Sequence, residues 1–195
     1  RDVPGNFFDA VDAAPLVAEH PAAILPLLLQ ARAALEQVPA DPWVDVKQTE
    51  LTEAIRSAAG IWAEAVADAP IVAPGGKVNV SATVVARGGV PLTLAAVAVS
   101  SPAETREKNV ALADNQPIKE DFTVTLPADA PCSQPYWLRG PHEGGLHCAA
   151  PPELAGLAED PPALSVSFRL SADGVPFDLT VPVQYRLRDP VLGER

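Results

Sequence analysis

Past residue 72 the apolar positions recur every second residue. Val78, Val80, Ala82, Val84 and Ala86 alternate with Asn79, Ser81 and Thr83, and Gly88-Gly89 follows as a turn. A period of two puts successive side chains on opposite faces, which is the mark of a strand. Leu92, Leu94, Ala96 and Ala98 predict a second strand over 91–100. Its other face, with Val97 and Val99, is apolar too, which suits a central position. Phe122, Val124 and Leu126 alternate with threonines in a third, and Leu164, Val166, Phe168 and Leu170 alternate with Ser165, Ser167 and Arg169 in a fourth. Asp173-Gly174 then predicts a tight hairpin, because glycine tolerates the positive φ such a turn needs. Phe177, Leu179, Val181, Val183, Tyr185 and Leu187 form the returning strand. Pro182 falls on its polar side, so it belongs at an edge or a bulge. With a short strand over 136–139, this set predicts an immunoglobulin- or fibronectin type III-like β-sandwich.

Before residue 70 the period is helical. Asp41-Pro42 is a start signal, with Asp as N-cap and Pro at the first helical position. Leu51, Ile55, Ala58, Trp62 and Val66 then follow steps of three or four and predict one apolar stripe, with Gly60 weakening the helix from inside. Residues 22–38, with Leu25, Leu28, Leu29, Ala33 and Leu35, predict a second helix or two short ones broken near Pro26. Two such helices are unstable alone, so their stripes need a partner surface, either the following domain or another. Ala69-Pro70 through Pro74-Gly75-Gly76 is the boundary. The organisation expected is therefore mainly β, with a helical segment of two or three helices over 1–70 and a β-sandwich over 71–195.

Composition narrows the partners. The 195 residues are 48% hydrophobic and carry 22 prolines, which suits a folded chain of many short elements. The net charge of −11 disfavours nucleic acid, which needs a basic patch. No apolar run approaches the ~18 residues of a membrane span. The chain opens on Arg1 and holds no methionine, which points to a processed or excised segment. Cys132 and Cys148 lie 16 positions apart. In an exported chain they are candidates for a disulfide, worth about 3 kcal/mol by loop entropy, and in a cytosolic one they are free thiols.

Chemistry-bearing motifs are few. His20 precedes Pro21 and reads as a solvated loop residue, while His142, His147, Cys132 and Cys148 have zinc-ligand chemistry but fit no compact zinc spacing. Gly75-Gly76 and Gly88-Gly89 lack the residues that make a phosphate loop, and no nucleophile elbow occurs. Glu120-Asp121 and Glu159-Asp160 read as solvated pairs in loops. The distinctive segment is Tyr136-Trp137-Leu138-Arg139 in a chain only 5% aromatic. Tyr136, Trp137 and Arg139 suit an aromatic platform for a sugar ring, a cation–π contact to a partner, or a core plug, and the burial energy of large aromatics favours the plug.

At this segment the chain resembles a known family. SQPYWLR (133–139), PPALSVSFRL (161–170) and DGVPFDLTVPVQYRLRDPVLGE (173–194) resemble the C-terminal part of large bacterial PIG-L (LmbE-like) deacetylases. FFDAVD (7–12) and Lys47, Leu51 and Ile55 ahead of Gly60-Ile61 are similar too. In that family a zinc-dependent deacetylase domain precedes helices and β-rich accessory domains. Its His-Pro-Asp-Asp-type metal motif has no match here, so no catalytic or zinc-binding residue carries over and no cofactor is expected in this chain. The resemblance implies an exported, non-catalytic accessory region of an N-acetyl-sugar deacetylase. Its partner would be the catalytic domain of the same polypeptide, which would hold the zinc and meet Leu25, Leu28, Leu51, Ile55 and Trp62. The alternative is a carbohydrate-binding module that takes a glycan on Tyr136, Trp137 and Arg139. An independent enzyme has no residues to carry it.

Overall fold

The computed structural model describes residues 20–139 and 160–189, with residues 154, 157, 191, 193 and 194. A 3-10 turn, Pro21–Ile24, leads into helix α1, Leu25–Leu35. Pro26 lies in the first turn of α1, where its missing N–H has no intrahelical acceptor to lose, so it starts the helix rather than breaking it. Helix α2, Pro42–Ala58, begins as expected: the Asp41 carboxylate accepts the Trp43 N–H at 3.0 Å.

The end of α2 departs from the sequence reading. The helix stops at Ala58, Gly60 takes a left-handed φ of +63°, and Ile61–Ala67 is a strand, β1. Trp62 and Val66 therefore do not extend the helical stripe. The segment 61–67 satisfies both periods, since Ile61, Ala63, Ala65 and Ala67 also alternate, and pairing on two sides decides for the strand. The turn is closely packed: Arg87 N–H donates to Gly60 O at 2.9 Å, and a Cβ on Gly88 would sit 2.4 Å from Ala59 O.

The remaining strands are β2 (Lys77–Ala86), β3 (Leu92–Ser100), β4 (Ala103–Leu112), β5 (Ile118–Thr125), β6 (Ser165–Ala172) and β7 (Val175–Tyr185), with a small pair β8 (Arg188–Asp189) and β9 (Gly193–Glu194). The seven longer strands form one mixed sheet ordered β4-β3-β6-β7-β1-β2-β5, in which only β1 and β7 run parallel. β6 and β7 meet through Asp173-Gly174, both at positive φ, as the two-residue hairpin requires. Pro182 sits where the β1 ladder begins: Val183 N–H turns to Leu164 O on the β6 side, so the proline nitrogen faces the β1 side just before pairing starts at Val183. β4 has no counterpart in the sequence reading, because its Ala-Glu-Thr-Arg-Glu-Lys run is polar on both faces. In β3 a bulge between Leu94 and Ala96 exchanges the two faces, so that Leu92 and Leu94 and then Val97 and Val99 point inward.

The sheet curls until its two edge strands approach. Arg106 and Lys108 of β4 reach Glu120 of β5, at 3.5 and 2.5 Å, and the Arg106 guanidinium lies 4.3 Å from the centre of the Phe122 ring. The enclosed core holds Val80, Val84, Leu94, Val97, Phe122 and Phe168, and it is continuous with Leu25, Leu28, Leu51 and Ile55 of the helices. Of the two partner surfaces expected for the helical stripes, the following β region and a further domain, these four side chains meet the first: they are covered by this chain's own sheet, and not by the catalytic domain that the family resemblance implied. Trp62, on the outer face of β1, stays 39% exposed.

Candidate functional site

The aromatic segment follows β5 and is not a strand. Tyr136–Leu138 forms a 3-10 turn, with Leu138 N–H donating to Pro135 O at 2.9 Å and Arg139 N–H to Tyr136 O at 3.2 Å. Prolines 131 and 135 resist continuous strand pairing here. Three residues per turn place Arg139 above Tyr136, not beside Trp137 as an extended segment would. The Tyr136 and Trp137 rings meet edge to face, centroids 5.0 Å apart at 85°. Both are half-buried, whereas Leu138 is 60% exposed.

One carboxylate organises the turn. Asp160 Oδ1 accepts the Tyr136 N–H at 3.1 Å, and Oδ2 pairs with the Arg139 guanidinium. Arg139 Nε also donates to Gln134 O, at 3.4 Å. The Asp160 side chain is only 16% exposed, so it is a staple and not the solvated loop acid expected from its place beside Glu159. No local pattern points to it, since its partners lie 24 and 21 positions away. Cys132 is exposed. Its expected disulfide partner, Cys148, lies outside the described residues, as do His142 and His147. His20 is exposed at the start of the 3-10 turn. Among the described residues, no group of three or more His, Cys, Asp or Glu side chains is placed to hold a metal ion.

Further clefts lie elsewhere among the described residues. A polar one of about 370 Å³ separates the helices from β7 and is lined by Arg32, Asp45, Gln48, Thr52, Asp178 and Thr180, among others. Arg32 Nη1 donates there to Thr52 Oγ1 at 3.1 Å. An apolar groove of about 290 Å³ lies past the ends of β1 and β7, against Ile71, Val72, Leu126, Leu164, Val183 and Tyr185. Ile71 is 87% exposed at its rim. Near it, on the sheet's outer face, Asp68 accepts the Asn79 N–H at 2.9 Å and its side-chain amide at 2.7 Å, while Thr123 Oγ1 donates to Asn79 Oδ1 at 2.9 Å. The backbone N–H and then the amide of Asn79 hold the Asp68 carboxyl below its ordinary value. Asp121 is lowered likewise, by the Ser81 hydroxyl and then Lys119.

No family model matches the chain, and no curated protein matches it either. Solved structures give faint likenesses. Spo0M, a sporulation control protein from Bacillus subtilis, is 11% identical over 65% of this chain and 49% of its own, with a TM-score of 0.35. The alkylpurine DNA glycosylase AlkC of Pseudomonas fluorescens, bound to DNA containing an abasic site analogue, is 9% identical over 88% of this chain and 49% of its own, at 0.29. The chain thus spans about half the length of the structures it matches.

Proposed function

We infer that this chain is a non-catalytic accessory module, in which helices and a curled sheet form one body that packs against another part of a longer polypeptide. The observation that carries the reading is the internal commitment of the aromatic turn. Tyr136 and Trp137 are half-buried against each other, and Asp160 neutralises Arg139. A sugar platform needs an open ring face and free hydrogen-bonding groups beside it. The turn uses those same groups for its own architecture, which favours the structural role over the glycan-binding one. The resemblance to PIG-L deacetylases supplies the parent: an exported enzyme acting on N-acetylated amino sugars, whose zinc belongs to its catalytic domain. An immunoglobulin- or fibronectin-type sandwich remains the finer description we propose, since β3 and β6 share one core with β1, β2 and β5.

Titration with N-acetylglucosamine oligomers under tryptophan fluorescence tests the choice. The accessory role predicts no saturable change, and predicts that Trp137→Ala lowers the melting temperature. Saturable binding that Trp137→Ala abolishes without loss of stability would establish the carbohydrate-binding module instead. The parentage is tested separately by the coding sequence upstream of Arg1, where a His-Pro-Asp-Asp-type motif is expected and its lack would reject the family.

A further inference from the structure

We draw no further inference here: the strongest candidate, the polar cleft between α2 and β7, has Arg32 tied to Thr52 and Glu36, Glu53 to Arg56 and Asp178 to Arg169, so its lining singles out no ligand, and nothing in the structure shows what covers it.

Discussion

Ile55→Ala tests whether the helices and the sheet are one cooperative body. Ile55 lies on α2, is fully buried, and belongs to the same core as the strands. The substitution removes about three carbons, worth roughly 2.4 kcal/mol at ~0.8 kcal/mol per buried methylene. The cavity left behind adds about 1 kcal/mol, giving a loss near 3.5 kcal/mol, inside the range of about 2–5 seen for such truncations. For a chain of this size that lowers the melting temperature by roughly 7–14 °C. Urea unfolding should be followed by far-ultraviolet circular dichroism, which weights α1 and α2, and by tryptophan fluorescence, to which Trp62 on β1 contributes. Both midpoints should fall together with the slope unchanged. A circular-dichroism midpoint that moves alone would make the helices a separate unit, and a loss under about 1 kcal/mol would remove Ile55 from the shared core.

Other outcomes follow from the same contacts. Gly88→Ala should destabilise by about 2 kcal/mol or more in thermal melts, since its Cβ would meet the Ala59 backbone at 2.4 Å. Gly89→Ala, in open space at φ +64°, should cost only about 1 kcal/mol, and equal costs would refute the close approach of α2 to that turn. Asp160→Asn should loosen the aromatic turn, lowering stability by about 1 kcal/mol and shifting the tryptophan emission, because the Arg139 pair and part of the Tyr136 cap weaken. The lowered carboxyl of Asp68 contributes stability present above its ordinary value of 3.8 and lost as pH falls through its lower folded value. Urea midpoints measured through that acid range should therefore drop less steeply in Asp68→Asn, and an unchanged profile would remove Asp68 from the linkage.

Much of the architecture could be read from the chain by itself. The alternation over 78–86, 122–126, 164–170 and 177–187 identified β2, the second half of β5, most of β6 and most of β7, because their apolar positions face the core. Asp173-Gly174 specified its hairpin and Asp41-Pro42 its helix start through purely local backbone preferences. The misreadings have equally physical causes. Residues 61–67 obey both periods, so only neighbours on two sides could make them β1. A run polar on both faces conceals β4, and one bulge reverses the faces of β3. Asp160 acquires its role through partners more than twenty positions away, beyond any local pattern. The seam between β4 and β5 depends on how far the sheet curls, and that follows from the summed twist of seven strands around a filled core. Local conformational preference and one-sided burial act within a few residues and are written in order along the chain. Pairing across the sheet and the choice of which surfaces cover the helices come from long-range packing, and only the tertiary structure decided them.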